Sequence, residues 1–481
     1  MTESLFDRSN RSTTIAVLAS VGIIAYNNLA ISAALPEVGN DLGDVALLPW
    51  IISVELLTSG VAILFAGPLV DGLGSRRVFR WSVSAFMITS FACAAAPTMA
   101  WLILGRAFQG IAAGVLMTVV TSAVGLSFSS DLRPRVFAAS STVWGVTSVA
   151  GPTIAATLVS VIGWRGVLGF NVPVAAFAAF VAWRTLPDRQ PDAESVRIDA
   201  RGIALIAVIS TAALATVEGS ISVAAGAFAV TAVGLWAYVR HARRATQPVM
   251  RLHHIGDPRY RPIHLTSMLV IGAALGAFAF LPVYVRGARG ASSTLAAFSI
   301  VFHSIGWSLS AFGASRLQRR YRSELIILAG ASIAAPMLVL TTIAVAVDAP
   351  LPLIFTLLFF VGSGIGAVST TGVATLQHRT PVTEMGRINA AHQFVRTIGI
   401  TYGVGLAGVV LFGTVDRRID DVEAVRDVLG DEGSGIDTAV ADALGAGYGW
   451  ALLVCSVIMA LAIPSAVHLV RTPVEAVPSA S

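Results

Sequence analysis

Glu55, Arg106, His303, His392 and Arg396 are titratable side chains inside strongly apolar runs of this sequence. A charge at such a position costs about 2.5–3.5 kcal/mol or more, so an ionisable residue within a membrane span is a functional candidate by default. Glu55 is the carboxylate well inside a run, whereas Glu218 falls at a run's end. A carboxylate in a low-dielectric cavity holds its proton more tightly, and a neighbouring guanidinium reverses that. A group that changes such neighbours can take a proton from one face of a membrane and release it at the other. Asn27, Glu55 and Arg106 each lie roughly 20 Å in from the same face, at about 1.5 Å per helical residue. Three helices thus bring polar groups to one layer, and these three are the proton-coupling candidates. The alternative is a fixed Glu55–Arg106 pair that holds helices together.

A second group is Asn389, His392, Gln393 and Arg396, whose spacings of three and four put them on one helical stripe. Such a stripe faces either a water-filled cavity or a helix–helix hydrogen-bond seam. With Gln109 and His303 it forms the candidate cavity and substrate set, although a lone His among apolar neighbours is also an ordinary packing residue. No Walker motif, nucleophile elbow or metal-ligand cluster is present. Cys93 and Cys455 both sit in apolar runs, as small hydrophobes do. No catalytic residue, metal or cofactor is therefore expected.

The elements that carry these residues follow from composition. The chain has 481 residues, 55% hydrophobic and 12% charged, with a mean hydropathy of +0.78. A soluble domain carries about 25% charged residues, so a soluble enzyme, a disordered chain and a nucleic-acid binder are poor readings despite a pI near 9.7. Apolar runs at 14–35, 48–69, 79–97, 99–122, 137–161, 166–183, 202–218, 221–239, 262–285, 294–315, 325–347, 351–376, 388–412 and 447–469 predict fourteen helices of membrane-spanning length. The run at 202–218 is the weakest. Asn27 and Asn28 interrupt the first run and no small-residue cleavage site follows it, so it reads as a retained span.

All 32 basic residues are Arg, a composition bias rather than a functional signal. With an inside N-terminus, 24 of them fall in the first tail, inner loops and last tail, six in outer loops and two within spans. That bias follows the positive-inside rule and predicts two cytoplasmic termini in a cytoplasmic membrane. Segments 184–201 and 240–261 become cytoplasmic linkers. Segment 413–446, with nine acids and three Arg, becomes an acidic outer loop that could form a short surface helix.

The loop after the second run reads Gly67-Pro-Leu-Val-Asp71-Gly-Leu-Gly74-Ser-Arg76-Arg77. An Asp at a helix end can face a helix N-terminus, where the macrodipole favours negative charge. The Arg pair can reach acids or lipid phosphates. This loop resembles the signature of the major facilitator superfamily. Leu104-Gly-Arg106-Ala-Phe-Gln109-Gly110 resembles the family's intramembrane Arg motif. Gly145 with Gly151-Pro152 resembles its antiporter motif, with Ala155 and Ala156 where two further glycines are usual. Trp164-Arg165 with Phe170-Asn171-Val172-Pro173, and Arg396-Thr-Ile-Gly399, resemble segments of the fourteen-span drug:proton antiporter branch. That branch usually has Asp where Asn27 stands and Tyr where Glu55 stands.

The resemblance implies an all-α polytopic fold with two six-helix bundles plus two inserted helices. The bundles would be 1–183 and 262–481, and the linker 184–261 would hold the inserted pair. It implies a secondary transporter exporting lipophilic or amphiphilic compounds by proton antiport with alternating access. Gly67, Asp71, Gly74, Arg76 and Arg77 would form the cytoplasmic gate. The loop after the tenth run, from Gly313 to Arg322, would repeat it without the Asp. Expected partners are a small lipophilic substrate, protons and membrane lipid, with no nucleic acid, and the chain is expected to act as a monomer. Phe170, Phe177, Phe278, Phe280, Phe359 and Phe360 are candidates for an apolar cavity. Small residues from Ser141 to Ala155 and at Gly110 and Gly114 would let helices approach closely. The missing acid at Asn27 leaves an uncoupled or lipid-moving carrier as an alternative. A sensor or scaffold without transport is the remaining one, with no soluble signalling domain to support it.

Overall fold

The computed structural model describes residues 4–7, 10–43, 47–182, 199–218, 221–246, 248–419 and 438–471. All regular elements among them are helical. The first half contains α1 (Arg11–Leu42), α2 (Leu48–Leu73), α3 (Ser75–Ala94), α4 (Met99–Ser127) and α5 (Arg133–Ile162). It closes with α6 (Trp164–Gly169) and α7 (Asn171–Ala182). Then come α8 (Ala200–Glu218), α9 (Ile221–Ala242) and the short α10 (Leu252–Gly256). The second half begins with α11 (Arg261–Ala279), α12 (Leu281–Val283) and a π-helical turn at Tyr284–Ala288. It continues with α13 (Ser293–Leu317), α14 (Ser323–Ala346), α15 (Leu351–His378) and α16 (Met385–Asp416). It ends with α17 (Thr438–Ala460) and α18 (Ala462–Arg471).

The helix ends have local causes. Thr98 and Ser292 cap α4 and α13, their hydroxyls accepting from the backbone N–H of Trp101 and Leu295. Proline opens α2, α5, α11 and α15, where its missing N–H costs nothing. Gly74, at φ +82°, lets the chain leave α2 and enter α3 within one residue.

Several boundaries differ from the sequence expectation. The helix α1 continues to Leu42, and the sixth and last runs each break into two helices. Linker 240–261 contains a helical turn, α10. The centre of the acidic loop, 420–437, and the linker stretch 183–198 lie outside the described residues, and with them the expected surface helix, Arg184, Arg189, Arg197 and Arg426. So do Arg8 and the side chains of Pro152 and Glu218.

Eight stretches among the described residues are long and apolar enough to cross a membrane: 50–73, 99–127, 164–181, 261–288, 323–346, 351–378, 382–416 and 438–471. The fourteen-span expectation rests on six further helices, α1, α3, α5, α8, α9 and α13, which do not reach that mark over their described residues. Large apolar side chains such as Trp81, Phe91, Trp101, Phe180 and Trp450 face outward, as on a surface solvated by lipid.

Glycine contacts set the closest helix pairs. A side chain at Gly110 or Gly114 of α4 would strike the backbone of α2 at Glu55 or Ser59. Gly272 and Gly403 do the same for α11 and α16, and Gly362 for α15 against α13. The two halves meet chiefly along α2 with α16 and α5 with α13, and the pair α8–α9 lies against α2 and α16.

Candidate functional site

Asn27, Glu55 and Arg106 come together in the first half, all of them buried. The Asn27 amide donates to Glu55 Oε1 at 3.2 Å, and its carbonyl oxygen accepts from Arg106 Nη1 at 2.9 Å. Arg106 Nη2 lies 3.5 Å from Glu55 Oε2 and makes no hydrogen bond. The guanidinium is otherwise anchored by Nε to the Ile51 carbonyl at 3.0 Å and by Nη1 to Gln109 Oε1 at 2.7 Å. Gln109 in turn donates to Ser90 at 2.7 Å. Gln109 therefore positions Arg106 rather than lining a cavity, and Asn171, donating to Asn27 at 3.4 Å, extends the cluster to α7. The sequence placed the three polar groups in one layer; Gly110 is what lets α2 and α4 close on each other beside Glu55.

A cavity of about 450 Å³ lies between the halves. Its walls include Met117, Phe137, Trp144, Phe278 and Trp307, with His303, Gln393 and Arg396 as the principal polar groups. Of the six Phe candidates only Phe278 lines it. Phe177 and Phe360 are exposed, Phe170 packs on Tyr26, and Phe280 on Phe412. His303 stacks on Phe278 with ring centroids 3.8 Å apart, and its Nδ1 is buried without a partner. Phe137, Trp144 and Trp307 were missed. Their one signal is the small residues beside them, Ser140, Ser141 and Gly145 on α5 and Ser304 and Ser308 on α13.

The polar stripe on α16 divides. Gln393 and Arg396 reach the cavity, bound to each other at 3.0 Å. Asn389 does not: it accepts from Gln377 at 3.0 Å and donates to the Met385 carbonyl at 2.7 Å. His392 also turns away, its Nδ1 lying 3.0 Å from Nδ1 of His264 on α11.

At one end of the molecule Asp71 spans the two halves. Its carboxylate accepts from the backbone N–H of Gly386 at 2.6 Å and of Arg387 at 3.0 Å, and Arg387 Nη1 lies 3.5 Å away. Asp71 thereby caps the N-terminus of α16 from across the interface, where a carboxylate is favoured. A side chain at Gly67 would press on Ala390 and on the Gly386 carbonyl, so α2 and α16 touch here. Arg76 is half-buried and Arg77 exposed. Gln377 adds a bond to the Thr121 carbonyl at 3.0 Å. At the opposite end Asp41 holds Trp164 Nε1 at 3.0 Å and the Arg165 guanidinium, which keep its carboxyl below the usual range. That contact stays within the first half. Gly145 sits against Ser308 Oγ, and Ser308 donates to the Ser141 carbonyl at 3.1 Å. Gly151 and Pro152 fall within α5, beyond this contact.

Residues 17–404 match the model of the Major Facilitator Superfamily. The chain belongs to that superfamily. The multidrug transporter protein MdtP of Bacillus subtilis is 26% identical over 80% of this chain and 72% of its own. An uncharacterised MFS-type transporter of Mycobacterium tuberculosis is 28% identical over 84% of this chain, which spans 60% of that relative's length. The fold is similar to that of a bacterial homologue of the iron transporter ferroportin in an outward-facing state. The TM-score is 0.65 at 12% identity, over 95% of this chain and 99% of that one. The superfamily member is thus an all-helical, multi-pass membrane transporter and not an enzyme.

Proposed function

We propose that this superfamily member exports lipophilic or amphiphilic small molecules across the cytoplasmic membrane by proton antiport, with fourteen spans and both termini inside. The cavity takes the cargo: its aromatic walls offer apolar area, and His303, Gln393 and Arg396 orient a polar end. Opening alternates between the Asp71 end, which is cytoplasmic, and the Asp41 end. The name of MdtP supports a drug-like cargo.

The observation that carries the coupling role is the unfinished contact between Glu55 and Arg106. A buried carboxylate stands 3.5 Å from a guanidinium nitrogen that has no hydrogen bond. Approach favours the carboxylate and separation favours the protonated acid, so helix movement between α2 and α4 changes proton affinity. The second reading, an uncoupled or lipid-moving carrier, draws on the other Arg106 contacts. Ile51, Asn27 and Gln109 already fix the guanidinium, as in a static brace.

Glu55→Gln separates the two. In everted vesicles it should abolish uptake of tetraphenylphosphonium driven by a proton gradient while leaving downhill exchange intact. Uphill pumping by that variant would assign the Glu55–Arg106 pair to the brace.

A further inference from the structure

The structure joins two histidines that lie 128 positions apart, His264 near the start of α11 and His392 on α16. Both rings are buried. Their Nδ1 atoms are 3.0 Å apart, and His264 Nε2 lies 2.8 Å from the backbone carbonyl of His254. A carbonyl only accepts, so His264 carries its proton on Nε2. Its Nδ1 is then a bare acceptor, and the contact between the rings requires the proton of His392 to be on Nδ1. This leaves the Nε2 lone pair of His392 free, and that atom is buried with no hydrogen-bond partner. One turn further along α16, Arg396 has a buried Nε–H that is also without a partner. Arg396 lines the central cavity.

We propose that the His264–His392 pair is a proton-binding site behind the cavity wall, taking its proton at His392 Nε2 on the Arg396 side. The incoming proton bonds to the Nε2 lone pair, and the Nδ1–H of His392 can then pass to Nδ1 of His264. The charge is shared by two rings, a form that a lone buried imidazole lacks. The groups facing the pair are Arg396 of α16 and His254 of α10. His254 donates through Nε2 to Glu384 at 3.0 Å, and Glu384 also holds Arg251 at 2.9 Å with His253 at 3.6 Å. Those contacts neutralise Glu384 at the Asp71 end and leave the pair without a carboxylate partner among the described residues. Repulsion between Arg396 and a charged pair links proton occupancy to the cavity, because cargo or water that draws Arg396 away frees the site. The use of this proton in transport rests on the antiport reading; the binding of the proton does not.

Nitrogen-15 NMR of the histidine rings in the full-length protein, reconstituted in lipid, tests this without any transport. At pH 8 the resonance lost in His392→Gln should be an Nδ1–H tautomer and the one lost in His264→Gln an Nε2–H tautomer. On acidification both should move together with one midpoint. Replacing either ring by Gln should remove the titration of the other. Independent titration, the opposite tautomers, or two rings that stay neutral throughout, with and without saturating tetraphenylphosphonium, would overturn the proposal. A pair that titrates jointly in a protein showing no proton-driven flux would sustain it and defeat the antiport reading alone.

Discussion

Asp71 offers the most direct perturbation of the transport cycle. Its carboxylate accepts two backbone N–H bonds, at 2.6 and 3.0 Å, from the first turn of α16 and pairs with Arg387 at 3.5 Å. The side chain is 4% exposed, so solvent screens these contacts little. Hydrogen bonds to a charged group contribute about 1.5–3 kcal/mol each, against about 0.5–1.5 for neutral partners. Asp71→Asn keeps the shape, removes the charge and turns an amide donor toward a backbone N–H. The joint between α2 and α16 should weaken by about 2 kcal/mol, taking the low end of those differences. That is roughly a 30-fold change in an equilibrium between closed and open states. A cysteine at Thr121, beside the cavity and in a background lacking Cys93 and Cys455, reports the opening. Its reaction with an impermeant thiol reagent applied from the Asp71 side should speed up about 10- to 30-fold in Asp71→Asn. Equilibrium binding of tetraphenylphosphonium should persist. Labelling at the wild-type rate would refute the argument, since the contact would then contribute nothing to closure.

Two further outcomes are expected. Cysteines at Thr246 and Arg418, in the same background, should label from opposite faces of the membrane; labelling from one face would break the fourteen-span topology. Asn27→Asp would set a second carboxylate 3.2 Å from Glu55 Oε1, and two such groups with one Arg share a proton. Proton-driven flux should then show an added acidic step in its pH profile, and an unchanged profile would mean that residues 27 and 55 are apart in the working states.

How much of this was legible in the sequence depends on how local the cause is. The type of contact Asp71 makes was, because an acid at a Gly-rich helix end can meet a helix N-terminus, but the partner helix, α16, lies over 300 positions away. The layer of Asn27, Glu55 and Arg106 was legible from counting residues along helices. The role of Gln109 was not, since a polar residue in a span looks alike whether it faces a cavity or a neighbouring guanidinium. Five of the six Phe candidates, all but Phe278, missed the cavity for a related reason. Helices apolar on all sides carry no stripe that separates lipid from cavity, and Phe177 and Phe360 went outward. His264 escaped notice because it lies four residues into α11, beside Arg261, where a polar residue suggests the membrane interface. Its significance comes from a contact 128 positions away.

The two halves place their polar chemistry differently, and this bears on how one carrier could join proton and cargo. The Glu55–Arg106 cluster sits on α2 and α4, near the centre of the first half, and does not line the cavity. Arg396 lines the cavity from the second half, with the histidine pair behind it. The α2–α16 contact connects them physically. Helix α2 carries Glu55 and Asp71, and α16 carries the N–H groups that Asp71 holds together with His392 and Arg396. On the antiport reading proposed above, breaking that joint would move both helices relative to their own partners, α4 and α11. One separation would thereby alter the distance from Glu55 to Arg106 and the exposure of Arg396 to water. Coupling of this kind needs no continuous proton wire across the molecule; it needs two buried sites whose proton affinities depend on one interface.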